Sequence, residues 1–455
     1  MRILFYPRPA MTHRRHFVVI GGGFAGVAAA VRLRARGATV TLIERAPTLG
    51  GRARSDDFGG ETIDTGAQLL STMCTRTLHL LGTDRHTVLR PARGRDAYVR
   101  AGVHYPLQFG SLRSLLAFGG ISAMDKMRLA RYVLPILATH ARALDAGAAH
   151  VAPAHDAVDA RSFIAQHIGT EAADVLVEPP LNGFYALRGA ETALAFFLML
   201  GRYGGEGAVL EPVAGWSATL ELALHGVLVA RDTTVTAIHR DGAALDVVSE
   251  QGASWRADGV VVATSPHQAA TLLAGLLPAD ADLLDWLREI PLRPTWTLAL
   301  ALDTPMPRDA FGLFHDASRA RIVSACAVCG ARSRTGWTDR DVVLAWPTPG
   351  AVHALSNAST DERTRAMLPE VEALIPAVRS HITRARLYHF AEGSPIPEPG
   401  FAADHAHGRA LARDLARTPG PPITVAGDYL TVPLIEGAVA SGEHAAALIL
   451  ARSAP

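Results

Sequence analysis

The chain has 455 residues, 49% of them hydrophobic, and 44 Lys+Arg against 43 Asp+Glu give a net charge of +1. That length allows two or three domains around a sizeable core, and the balanced charge gives no reason to expect a nucleic-acid partner. No apolar run reaches the ~18 residues of a membrane span, and three cysteines cannot build an extracellular disulfide framework.

The opening stretch, Met1-Arg2-Ile3-Leu4-Phe5-Tyr6-Pro7, is too short and wrongly flanked for a secretory signal. Met11 is a candidate start, since the first regular element begins near Phe17. The cytoplasm is the default compartment.

Phe17-Val18-Val19-Ile20 is an apolar run of the kind that forms a buried parallel strand. Gly21, Gly23 and Gly26 follow at the G-x-G-x-x-G spacing, with Phe24 and Ala25 between the last two. The first glycine permits the turn, the second lets backbone approach a pyrophosphate, and the third lets helix pack on strand. Val27 to Leu33 reads as that helix, and its N-terminus offers N–H groups and a favourable dipole to phosphate. Gly37 stops it. Ala38 to Ile43 reads as a second strand, ending at Glu44 and Arg45.

Glu44 lies 18 positions past Gly26, close to the ~20 expected of a carboxylate that binds a ribose hydroxyl. An acid there repels a 2′-phosphate, which favours FAD or NAD over NADP. The loop Leu49-Gly50-Gly51-Arg52 adds adaptable backbone and a guanidinium, which tips the choice to FAD.

Residues 96–204 read as largely helical. Asp125 to Pro135 has mixed amphipathic character, and Ala160 to Gly169 looks like a capped helix with a glycine stop. Between Gln108 and Leu137 lie apolar clusters, Ser114 to Phe118 and Val133 to Leu137, with Arg128 and Arg131 between them. These could line a pocket, pack in the core or touch lipid, with core or pocket preferred. Residues 291–404 read as strand-rich, through Thr295 to Leu302, Val342 to Trp346 and Arg384 to Phe390. Cys326 and Cys329 form a C-x-x-C, but no second Cys or His pair accompanies it, so no metal is expected. His104, His267 and His389 have no metal-type spacing and read as surface or core residues.

The N-terminal run of strand, glycine turn, helix, strand, Glu44, Leu49 to Arg52 and Asp64-Thr65-Gly66 resembles the flavin amine oxidase, protoporphyrinogen oxidase and phytoene desaturase superfamily. The resemblance recurs in patches along most of the chain. Glu211 to Trp216 is similar to that family's P-x-G-G turn, with Ala214-Gly215 replacing the glycine pair. Thr233 to Ile238 is similar to its V-x-x-I strand, and Ala257 to Thr264 to its A-D-x-V-V-V-A-T strand. Val425 to Tyr429, with Gly427-Asp428, and Glu436 to Ala446 are similar to its C-terminal flavin motif.

The resemblance implies an α/β fold: a Rossmann-like, glutathione-reductase-type FAD-binding domain with a parallel sheet and an inserted mixed α+β substrate domain. The FAD domain is expected over 12–95, 205–290 and 405–455, and the substrate domain over 96–204 and 291–404. Further cofactor contacts are implied at Gly66, Ala67, Val235, Ala263, Gly427, Asp428, Gly437 and Ala438. Gln68, Asn182, Tyr185, Trp296 and Trp346 are candidate substrate-pocket residues, with core packing the simpler reading for each aromatic.

The same resemblance implies hydride transfer from a substrate C–H bond to flavin N5. Many amine oxidases of the superfamily place a lysine near N5, on the strand matching Thr295 to Leu302. The single lysine of this chain is Lys126, inside the helical insertion. The aromatic pair that sandwiches amines in those relatives also has no clear equivalent, since Thr431-Val432-Pro433-Leu434 stands there. Both departures favour CH–CH oxidation of an apolar or ring-bearing molecule, of the protoporphyrinogen oxidase or carotenoid and squalene desaturase kind. An amine oxidase is the alternative, followed by a non-redox flavin isomerase or a scaffold. Oxygen, a quinone and a partner protein are all open as electron acceptor, and peripheral membrane contact is a further reading.

Overall fold

The computed structural model describes residues 14–82, 85–92, 96–108, 111–140, 142–147, 153–306, 312–317, 319–333, 336–376 and 378–452. Met11 lies outside the described residues.

The strand His16–Ile20 sits at the centre of a five-stranded sheet. Thr39–Ile43 and then Leu228–Ala230 flank it on one side, and Gly259–Val262 and then Ile423–Val425 on the other, all parallel. Phe17 and Val19 point into one apolar core while Val18 and Ile20 point into another. A strand covered on both faces needs an uninterrupted apolar run, which these four residues supply.

At Gly21 the chain turns with φ +107°, and a Cβ there would lie 2.5 Å from the Ala263 carbonyl oxygen. The turn leads into the helix Phe24–Ala35, which Gly37 ends at φ +84°. The final helix, Ile435–Arg452, packs along this first helix, and Val27, Ala28, Ala445, Ala446 and Ile449 share one core. The approach is close because a Cβ on Gly442 would lie 2.0 Å from the Ala25 carbonyl oxygen. Any side chain there would push the two ends of the chain apart.

Among the described residues a nine-stranded sheet forms the second layer. Its order runs from Ile382–Pro395 through Leu292–Leu302, Gly336–Pro347, Val323–Ser333 and Gly312–His315 to Ala97–Arg100 and Val103–Pro106, with Ser55–Asp57 and Thr62–Asp64 joining at the side. One face of this sheet joins the main core through Ala299, Ala301, Leu344 and Trp346. The other packs through Leu298, Leu300 and Val343 against Met367, Val371 and Leu374 of the helix Thr360–Leu374.

Three features differ from the sequence expectation. The helical reading of 96–204 fails at its start, because Ala97–Arg100 and Val103–Pro106 form a hairpin that extends the second sheet. Alternating apolar residues in Ala97-Tyr98-Val99 bury both faces of that strand, which a short run does not signal. The strand-rich reading of 291–404 omits the helix Thr360–Leu374, although Ser359 and Glu362 form a capping box. The helix Phe401–Arg417 runs straight across the boundary placed at 404/405.

Candidate functional site

The glycine turn opens onto one continuous cavity of about 1030 Å³. Gly21, Gly23, Phe24, Ala25, Glu44, Arg45, Gly50, Gly51 and Arg52 line one end of it. A Cβ on Gly23 would meet nothing within 4 Å, so the helix N-terminus faces open space. Gly26 lies behind the turn, where a Cβ would strike the Gly21 carbonyl oxygen at 1.9 Å.

Glu44 is held from its own backbone surroundings. Its Oε2 accepts from the Gly22 N–H at 2.6 Å and its Oε1 accepts from the Ala46 N–H at 2.8 Å. Only 8% of the residue is exposed, and it faces the cavity. Two N–H donors fix the carboxylate and leave lone pairs free for ligand hydroxyls.

The Gly-Gly-Arg loop meets the C-terminal Gly-Asp. Arg52 Nη2 donates to Asp428 Oδ1 at 2.6 Å, and Arg52 Nη1 donates to the Gly393 carbonyl at 2.8 Å. Asp64 joins two further motifs, since its Oδ1 accepts from Ser55 Oγ at 2.6 Å and from the Trp216 N–H at 2.9 Å. It thereby pins the start of the helix Trp216–Ala223 beneath the loop. Gly66, Ala67, Val235, Ala263, Gly427, Asp428 and Ala438 all line the cavity. Gly437 does not; a Cβ there would lie 2.3 Å from the Val432 carbonyl oxygen, so it shapes the turn into the final helix.

Glu436 begins that helix with a buried carboxylate that accepts from the Arg76 and Thr77 N–H groups and from Thr77 Oγ1. Burial pushes this carboxyl above the usual range, although those three donors pull the other way.

The other end of the cavity runs between the second sheet and the helices of the insertion. Leu107, Leu115, Leu129, Val133, Leu137, Ile164 and Leu176 form aliphatic walls. Of the five candidate pocket residues, Gln68, Tyr185 and Trp346 face this space. Trp346 stands edge-on to Phe184, with ring centroids 5.7 Å apart. Burial pushes the Tyr185 hydroxyl above the ordinary phenol range.

Trp296 is a correction. It is 1% exposed and lies on the opposite face of its strand, with its indole N–H donating to Met367 Sδ at 3.2 Å and the Arg363 guanidinium over its ring. Side chains alternate along a strand, so Thr295 and Thr297 face the cavity in its place. That alternation was available in the sequence. Asn182 is the second correction: its Nδ2 donates to the Glu178 carbonyl and carboxylate one helical turn back, away from the cavity.

His389 is exposed and pairs with Trp296 across the sheet, so its side chain lies on the face away from the cavity, as a surface residue, and His267 pairs with Glu392 at 3.1 Å. Neither Cys326 nor Cys329 forms a disulfide, and they sit on opposite faces of their strand, Cys326 in the core beneath the sheet and Cys329 against the main core. Asp96 escaped the sequence reading altogether. It lines the cavity, and burial pushes its carboxyl up to about 7 against the opposing pull of the Gly312 N–H. No local pattern marks it.

Lys126 also reaches the cavity, from the helix Ala123–Tyr132, but its Nζ donates to the Leu116 carbonyl at 2.8 Å. Among the described residues, no group of three or more His, Cys, Asp or Glu could hold a metal ion, and no helix is long and apolar enough to cross a membrane.

The chain is similar to known proteins over nearly its whole length. It is 28% identical to the carotenoid phi-ring synthase of Streptomyces griseus, across 95% of this chain and 87% of that one. A putative protoporphyrinogen oxidase from Exiguobacterium sp. 255-15 has the same fold, with a TM-score of 0.71, 20% identity, and coverage of 97% of this chain and 100% of that one. Cyclohexylamine oxidase from Brevibacterium oxydans IH-35A also superposes with a TM-score of 0.71, at 18% identity, over 97% of this chain and 99% of that one. Residues 24–450 match the family described as flavin containing amine oxidoreductase, and this chain belongs to that family, as an oxidoreductase whose cofactor is FAD.

Proposed function

We propose that the protein oxidises a C–H bond of an apolar or ring-bearing small molecule, by CH–CH dehydrogenation. One observation carries this reading. The cavity arm beyond the glycine turn has aliphatic walls, and Thr295 and Thr297 of the strand Leu292–Leu302 face it, with no lysine on that strand. Such walls favour an apolar substrate and exclude the water that would compete for reactive carbon.

The residues present fit FAD. The parallel sheet with its glycine turn supports the Rossmann-like, glutathione-reductase-type description. The turn at Gly21 to Ala25 would offer N–H groups to pyrophosphate, and Glu44 would accept from ribose hydroxyls. Arg52 and Asp428 would flank the flavin half, with the start of the final helix favouring negative charge nearby. The chemistry FAD supplies when bound is acceptance of a hydride. The chain's own task is then to orient the substrate C–H bond, which Tyr185, Phe184 and Trp346 would do by packing.

Asp96 favours a second reading, amine oxidation, because a carboxyl in an apolar cavity is a natural counter-ion for a substrate ammonium. Anaerobic reduction of the purified yellow protein separates the two. Hydroporphyrins or polyenes should bleach the flavin absorbance and amines should not. Bleaching by amines, with peroxide on re-aeration, would overturn the CH–CH reading.

A further inference from the structure

Asp96 is set on the cavity by strand alternation as well as by the shape of the space. Ala97 and Val99 point into the core beneath the second sheet and Tyr98 into the main core. Asp96, two positions before Tyr98, therefore faces the side on which the cavity lies. A Cβ on Gly312 would lie 2.6 Å from Asp96 Oδ1, so the glycine leaves the carboxylate its place. Among the described residues the Gly312 N–H favours its ionised form and no cation contributes. The polar side chains that follow in the chain are already engaged: Gln108 Nε2 donates to the Gly204 carbonyl, and Ser111 Oγ accepts from the Ser114 N–H. What remains around the carboxyl is aliphatic, with Leu107, Leu112 and Leu115 on the same cavity.

Strand pairing gives the distance from Asp96 to the flavin half. Arg52 Nη1 donates to the Gly393 carbonyl, and a Cβ on Gly393 would lie 3.2 Å from Thr295 Cγ2, so Thr295 and Thr297 stand at the flavin end. Ala299 pairs with Leu344, Leu344 with Ala327, Ala327 with Gly312, and Leu313 with Ala97. Asp96 is thus level with Ala299 but four strands away. At about 4.8 Å per strand and about 3.3 Å per residue, it lies roughly 20 Å from Thr297. The helix Glu178–Tyr185 covers the middle of the sheet, with Phe184 edge-on to Phe314 and Trp346, and the cavity passes along it from one end to the other.

We infer that Asp96 binds a hydroxyl at one end of an elongated apolar substrate, whose oxidised C–H bond lies about 20 Å from that hydroxyl. The inference rests on the C–H oxidation reading for the reacting end alone. A hydroxyl both donates and accepts, so it pairs with the carboxyl in either protonation state. It also adds no charge to a space with aliphatic walls, where an unpaired ion is costly. The same distance bears on amine oxidation: an ammonium at Asp96 would be a second nitrogen, not the one oxidised.

Equilibrium dialysis of the FAD-loaded protein against radiolabelled dodecanol and dodecane tests this. Dodecanol should bind roughly ten-fold more tightly than dodecane. Asp96→Leu should remove that difference while flavin content and dodecane binding hold. Gly312→Ala should also lower dodecanol binding, because it displaces the carboxylate and leaves its chemistry intact. Asp96→Asn, which still bonds a hydroxyl, should keep the preference. Alcohols brominated at the far end should quench flavin fluorescence only when their chains approach about 20 Å. Equal binding of the two probes by the parent protein would overturn the proposal, as would undiminished dodecanol binding by Asp96→Leu or quenching by the shortest alcohols. A preference for dodecylamine over dodecanol that Asp96→Asn abolishes would overturn it too, by assigning the carboxyl to an ammonium. Failure of the CH–CH reading would appear instead as bleaching by amines and would leave the dodecanol results standing.

Discussion

Arg52 and Asp428 stand 376 residues apart in sequence and 2.6 Å apart in space. This ion pair is where the Gly-Gly-Arg loop and the C-terminal Gly-Asp become one wall of the cavity. The Arg52 side chain remains 40% exposed, so solvent screening limits what the pair contributes. Asp428→Ala should destabilise the protein by about 1–2 kcal/mol and lower the flavin retained on purification. Urea unfolding and the visible absorbance per protein measure the two effects; unchanged values of both would remove the clasp from the account.

Glu44 offers a test of the nucleotide end. Replacing it by Arg puts a cation where two N–H groups already point, at Gly22 and Ala46. The Glu44→Arg protein should emerge with roughly ten-fold less FAD, while Glu44→Gln, which keeps acceptor capacity, should retain more. Equal flavin content in all three proteins would contradict the assignment of this end to the nucleotide.

Asp96 predicts a pH dependence. Its folded-state pKa is raised to about 7 by burial, above the ~4 of an unfolded carboxyl. A raised folded pKa means stability fully present below about pH 4 and lost progressively as pH rises to about 7. Asp96→Asn abolishes that loss. The Tm of the variant relative to the parent should therefore increase between about pH 5 and pH 8.5. A difference independent of pH would show that the carboxyl is not buried as described.

Gly442 is the contact between the chain's two ends. A methyl there would sit 2.0 Å from the Ala25 carbonyl oxygen, so Gly442→Ala should cost about 1–3 kcal/mol through overpacking. A side chain as large as Leu should prevent accumulation of folded protein. Thermal unfolding of the Ala variant gives the measurement, and a Tm equal to the parent's would show that the two helices can part freely.

That Gly21, Glu44, Arg52 and Asp428 belong to one site was legible in the sequence, and the structure places all four on one cavity. Gly21, Glu44, Arg52 and Asp428 act through backbone turns and charge, and such needs leave fixed residue types at fixed spacing. The substrate end was legible only in part. Trp296 has the chemistry of a pocket residue, but core packing, the simpler reading, is what the structure shows, on the other face of the strand from Thr295 and Thr297. Asn182 has the amide chemistry of a pocket residue, but its helix turns that amide back onto Glu178.

By itself the sequence determined the parallel strands, the glycine turn, the acid at Glu44 and the choice of FAD, because each follows from the backbone and from contacts near in sequence. Only the tertiary structure decided which distant groups share the cavity: Arg52 beside Asp428, the hairpin Ala97–Pro106 on the second sheet, Asp96 among aliphatic walls, and Met127 left outward. Burial and pairing between remote segments depend on how the layers stack, and no local pattern of residues encodes that.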